Sequence, residues 1–213
     1  GQVQFDVETA AAAAGGGNGA IEVVHLTTRG LQYLGEVGNV SSVTNTTVVT
    51  ITGTTLAADD CIVNNDIYFT SGDASGEGGT ITDYNGTTKV VTFTPAITAP
   101  SATDGYAIGP KVVISGDGQG GNVRCTVNST GGINATAVIS GGNNYSNASI
   151  TVLSNASQSN SFNPSPVAVL TPIIGPRGGH GSDAVQELGG FFALINSRLE
   201  YSESNNFTTD NDF

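Results

Sequence analysis

Residues 79–94, GTITDYNGTTKVVTFT, decide the fold of this chain. Two short runs rich in β-branched and aromatic residues, 79–82 and 89–94, flank the tripeptide Tyr84-Asn85-Gly86. Such residues suit a pleated, half-buried surface. Asn-Gly between two such runs is a strong hairpin signal, because a type I′ turn needs positive φ at both central positions. A β-hairpin is therefore predicted here.

The same pattern extends outward. Residues 48–52, 67–70 and 106–108 are also short and β-rich, with Ser71-Gly72-Asp73 and Ala99-Pro100 as turn signals between them. Five short strands at this spacing predict a small barrel or sandwich over residues 39–109. On either side the style changes to Gly-rich sequence, and a weak repeat spans the gap. Ile21, Gly30 and Tyr33 recur at the same spacing as Ile133, Gly142 and Tyr145. Each copy reads as a strand, a Gly turn and a Tyr that packs back on the strand, so a sheet built by duplication is predicted. On this reading residues 19–38 and 110–213 form the main β-domain, 39–109 is an inserted module with neighbouring ends, and 1–18, with five consecutive alanines and three glycines, is a linker.

Within the main domain, strands are predicted at 112–115, 122–127, 148–153 and 167–170, with Pro172 and Pro176 following the last. Residues 182–188 read as one short helix capped by Ser182 or Asp183 and ended by Gly189. Residues 191–199 read as a largely buried strand. The fold class predicted is all-β, in sandwich or small-barrel modules, with that one short helix near the C-terminal end.

Composition supports the fold class and excludes several functions. Only 11% of the 213 residues are charged, well below the usual quarter, and the net charge is −12. The six basic residues are scattered, and nucleic-acid binding needs a clustered basic footprint. No apolar run approaches the 18 residues a membrane-spanning helix requires. Nucleic acid and membrane are therefore not expected as partners. Cys61 and Cys125 allow one disulfide, but two small buried apolar residues is the simpler reading. The chain holds no Met and stops after Asp210-Asn211-Asp212-Phe213, which reads as an internal piece of a longer polypeptide.

No catalytic constellation emerges. His180, Ser182 and Asp183 sit within four residues, whereas triad groups converge from separate segments. His25 stands in a strand without a sequence partner, and two His and two Cys so dispersed make no zinc spacing. The Gly-rich loop 116–121 lacks the Lys-Ser/Thr of a phosphate loop. Asp59 with Asp60, Asp73 with Glu77 and Asp210 with Asp212 offer oxygen ligands without an EF-hand pattern. Neither a catalytic residue nor a cofactor is predicted, and the chain is read as not an enzyme.

The C-terminal third carries a resemblance. Residues 174–189 (IGPRGGHGSDAVQELG), 192–200 (FALINSRLE) and 209–213 (TDNDF) look like the baseplate wedge subunit of T-even-like myophages, cyanophage versions in particular. The likeness is specific over 174–200 and looser over 19–38 and the rest of 110–213. Residues 60–108 are similar to a small β-module of phage tail and fibre proteins. The resemblance implies a non-enzymatic structural subunit in the virion tail, assembled in the host cytoplasm, acting as a homodimer and contacting other baseplate or tail proteins. The interface is expected in 174–200, at Arg177, Phe191, Phe192 and Arg198. These combine the most apolar run of the chain with two of its six basic residues. The alternative class is a surface adhesin or carbohydrate-binding module, which needs an exposed aromatic shelf, with Tyr68, Tyr84 or Tyr106 as candidates.

Overall fold

A computed structural model of the chain describes residues 19–153 and 166–176. Twelve strands and no helix form among these residues, so the fold is all-β. The expected linker, the helix at 182–188 and the strand at 191–199 lie outside the described residues.

Strand β1 (Ile21–Thr28) is followed by six strands that close on themselves: β2 (Glu36–Asn45), β3 (Val48–Ile51), β4 (Asp66–Phe69), β5 (Gly78–Asn85), β6 (Val90–Thr94) and β7 (Gly105–Gly109). The barrel order is β2-β3-β6-β5-β4-β7, and every pairing is antiparallel. Closure removes the free strand edges that otherwise invite aggregation. The barrel begins at Glu36 and includes β2, which the strand pattern did not reveal. Only Glu36 and Val40 of β2 are buried, and its Gly, Asn, Ser and Thr positions mask the alternation.

Period-two alternation fills the barrel. Ile67 and Phe69 of β4 point inward, as do Val49 and Ile51 of β3 and Val91 and Phe93 of β6. The Phe69 and Phe93 rings meet with centroids 5.9 Å apart at 55°, a tilted geometry that suits aromatic quadrupoles. Each such fully buried side chain contributes roughly 1.5–3 kcal/mol.

The predicted hairpin is present, but its turn is not type I′. Asn85 pairs with Val90, leaving a four-residue loop, and the left-handed residue is Lys89, at φ 62°. The Asn85 carboxamide oxygen accepts the Thr87 and Thr88 amides at 3.0 and 2.7 Å. Asn85 therefore acts through its side chain. Gly86 serves close approach, since a Cβ there would stand 2.3 Å from the Ala57 carbonyl oxygen.

After the barrel come β8 (Val112–Gly116), β9 (Gln119–Val127), β10 (Ile133–Asn143), β11 (Ala148–Val152) and β12 (Val169–Ile174). A four-stranded sheet runs β1-β12-β11-β8, and β9 and β10 form a separate hairpin. The two layers share a second core that includes Ile21, Val24, Val123, Ile133, Val152 and Leu170. The last strand runs further than predicted, through Pro172 to Ile174. Pro172 lies opposite Val24 of β1, while the β11 pairing is at Leu170, two residues before it, so the proline sits past the point where β11 pairs.

The repeat has a structural counterpart. Ile21 and Ile133 are both fully buried, Gly30 and Gly142 take φ of 63° and 64°, and Tyr33 and Tyr145 are both buried. The Tyr33 amide donates to the Gly131 carbonyl and the Tyr145 amide to the Gly19 carbonyl, each at 2.9 Å. Gly19 and Gly131 precede their isoleucines by the same two residues. The copies thus exchange equivalent bonds across the second core.

Candidate functional site at the barrel–sandwich junction

Three segments converge where the barrel meets the sandwich: the β1–β2 connection from Gln32, the loop at 52–56, and the β9–β10 turn at 127–131. They enclose an open cleft of about 630 Å³. Its walls are set by local chemistry. The Asn128 carboxamide oxygen accepts the Thr130 amide (3.0 Å), the Thr130 hydroxyl (2.8 Å) and the Gly132 amide (2.9 Å), which fixes the β9–β10 turn. Thr52 donates its hydroxyl to the Asn39 carbonyl at 2.8 Å and ties the facing loop to β2.

Glu36 stands at the base of the cleft, 8% exposed. Tyr106 donates its hydroxyl to Glu36 Oε1 at 2.9 Å and Thr55 donates to Oε2 at 2.7 Å. A Cβ on Gly53 would overlap the carboxylate, so glycine is required where the loop crosses it. Burial first, then the Glu36 charge, drives the Tyr106 phenol well above its ordinary range, keeping it protonated as a donor. Glu36 therefore joins β2, β7 and the 52–56 loop. Around it Gln32, Thr54, Asn128 and Ser129 supply amides and hydroxyls, and Val37 of β2 is 63% exposed. The Glu36 carboxylate is engaged by two hydroxyl donors, and among the described residues lining the cleft no nucleophile–base pair stands beside it.

A second polar cluster bolts the two units together. Arg124 of β9 places Nη1 3.2 Å from Asp66 Oδ2 of β4, with the two side chains 10% and 14% exposed. Thr80 donates to Asp66 Oδ1 at 2.9 Å, and Lys111 donates to Thr80 Oγ1 at 3.3 Å. Beside them the Cys125 thiol donates to the Pro110 carbonyl at 3.3 Å. Burial pushes that thiol up to about 12, so it is not a thiolate nucleophile at neutral pH. Glycine again permits the contact: a Cβ on Gly109 would stand 1.9 Å from the Cys125 carbonyl oxygen.

The residues singled out from sequence fall as follows. Arg177, Phe191, Phe192 and Arg198, the expected interface, lie outside the described residues, as do His180, Ser182, Asp183, Asp210 and Asp212. His25 is exposed on β1. Cys61 is buried in the barrel core and Cys125 in the other core, and neither is in a disulfide. Asp59 and Asp60 accept the Gly86 and Tyr84 amides, holding the preceding loop on the β5–β6 hairpin. Glu77 accepts the Thr98 hydroxyl and amide, which lower its carboxyl. In the Gly-rich loop Asp117 accepts the Ser146 hydroxyl and the Asn147 and Ser146 amides, which hold its carboxyl well below the usual range. Among the described residues no three His, Cys, Asp or Glu gather as metal ligands. Tyr84 and Tyr106 are barrel core and Tyr68 is half-buried, so the first two form no exposed shelf.

No protein-family model, curated protein or solved structure matches the chain. The sequence pointed to neither Glu36 nor the Arg124–Asp66 pair, and it offered Tyr106 as an exposed aromatic rather than as the buried donor to Glu36. The available signals were a lone acid between Gly35 and Gly38, and a lone arginine inside the apolar strand at 123–127.

Proposed function

We propose that the chain is a non-enzymatic structural subunit of a contractile phage tail baseplate wedge, assembling with copies of itself and with neighbouring tail proteins in the virion. The observation that carries this reading is the likeness of residues 174–200 to that wedge family, reinforced by looser likeness over the rest of the main domain. Two features of the fold support it. The carboxylates Asp59, Asp60, Glu77 and Asp117 are engaged in accepting backbone amides of neighbouring segments, as a scaffold uses them to tie its loops together. The closed barrel sits within the chain between β1 and β8, as a decorative module would. The adhesin alternative draws less support, since Tyr84 and Tyr106 face the barrel core.

Virions purified from a lysate in which this gene is expressed provide the test. Mass spectrometry should find these peptides in the particle, and gold-labelled antibody against the barrel should mark the distal end of the tail. Particles free of the peptides, or label confined to fibres or to the host surface, would refute the reading.

A further inference from the structure

Seven large apolar side chains are conspicuously exposed among the described residues, and five of them crowd one strand and its neighbours. Val169 and Ile173 of β12 are 47% and 43% exposed and share a face with Thr171. Val167, 56% exposed, precedes them at the same period of two. Leu31 joins that end, because its amide donates to the Pro166 carbonyl at 3.1 Å. The antiparallel register through Ile150 and Leu170, carried on three residues, sets Leu153 beside Val167. Together they make a stripe of apolar surface on the order of several hundred Å², the size at which a patch on a soluble domain begins to signal an interface.

The charge pattern says what should cover it. The four strands of this sheet hold a single Asp, Glu, Lys or Arg between them, Glu22. That residue sits at the β1 bulge, against Gly175. The rest of the outward face is Thr, Ser, Val, Ile173 and one histidine, on a chain whose net charge is −12. A twofold interface sets a patch against itself, so any net charge on the patch would meet the same net charge on its copy. A basic partner would instead seek the acidic surfaces elsewhere. A nearly uncharged, apolar and hydroxyl-bearing sheet face is where two copies of a strongly acidic chain can meet.

We infer that the outer face of β12 and its flanking strands pairs with the same face of a second copy of this chain. The inference rests on the self-assembling subunit reading above and names the surface it would use. A standard interface buries roughly 800 Å² per partner, so the apolar stripe needs its Thr and Ser rim as well to reach that size.

Sedimentation velocity on the 213-residue chain over a wide concentration range tests this. The wild-type chain should run at twice 21.4 kDa. Val169→Asp with Ile173→Asp places four like charges across the axis and should weaken the dimer by at least about tenfold. Val169→Thr with Ile173→Thr keeps strand propensity and should weaken it less. Ile139→Asp, on the exposed part of β10, should leave it unchanged. A monomer at every concentration overturns the inference, as does a dimer indifferent to both β12 pairs or one lost equally with Ile139→Asp. A chain that is monomeric in isolation yet present in the baseplate overturns this face and leaves the subunit reading standing.

Discussion

Asp66→Ala should destabilise the protein far more than removal of an ordinary surface acid. Arg124 projects from the sandwich into the barrel junction, and its Nε and Nη1 are buried with no hydrogen-bond partner among the described residues. Nη1 lies 3.2 Å from Asp66 Oδ2, so the contact is Coulombic and lacks hydrogen-bond alignment. The carboxylate is then the main group offsetting desolvation of the guanidinium. Removing it leaves an uncompensated buried charge, which costs about 3–5 kcal/mol. Thr80 also loses its acceptor at 2.9 Å, adding about 1 kcal/mol. Against a total stability of about 5–15 kcal/mol for a domain of this kind, the variant should be near its unfolding threshold. The assay is urea denaturation followed by far-UV circular dichroism, comparing midpoints at unchanged slope. The double variant Asp66→Leu with Arg124→Met removes both charges and should recover most of the loss. A loss under about 1 kcal/mol for Asp66→Ala would place Arg124 in contact with water and refute the argument, as would a double variant weaker than the single.

Two further outcomes follow from the barrel. Burial pushes the Tyr84 phenol from 10.0 up to about 12, and its hydroxyl donates to the Leu56 carbonyl at 2.7 Å. The fold favours the protonated phenol, so this stabilisation is complete below pH 10 and is lost as pH rises from 10 to about 12. Stability measured across that window should fall, and Tyr84→Phe should flatten its share of the slope; an unchanged slope would count against the burial argument. We also propose that the barrel is separable. Among the described residues its core cluster draws on 40–108, with Leu34 and Val43 packed against it, so residues 34–109 expressed alone should unfold in one cooperative transition, and a gradual, non-cooperative melt would show dependence on the sandwich.

The sequence by itself determined the fold class and most of the strands. Thr, Val and Ile in short alternating runs, punctuated by Gly and Asn, admit little besides packed sheets, and β3, β4, β6 and β7 stand within a residue of where that pattern put them, while β5 runs three residues further, to Asn85. It also disclosed the repeat, because a strand, a left-handed Gly and a buried Tyr leave a local imprint. What it did not disclose was anything that depends on distant chain segments meeting. Strand β2 closes the barrel through backbone bonds to β3 and β7, and backbone bonds are indifferent to its polar side chains. Asn85-Gly86 looks alike whether the turn needs positive φ or a neighbour's backbone needs space, and the loop at Ala57 decided for space. Glu36 and Tyr106 lie 70 residues apart, and Asp66 and Arg124 become partners only when barrel and sandwich dock. The value of an acid or a base lies in its counter-group and its burial, and only the tertiary structure supplies either.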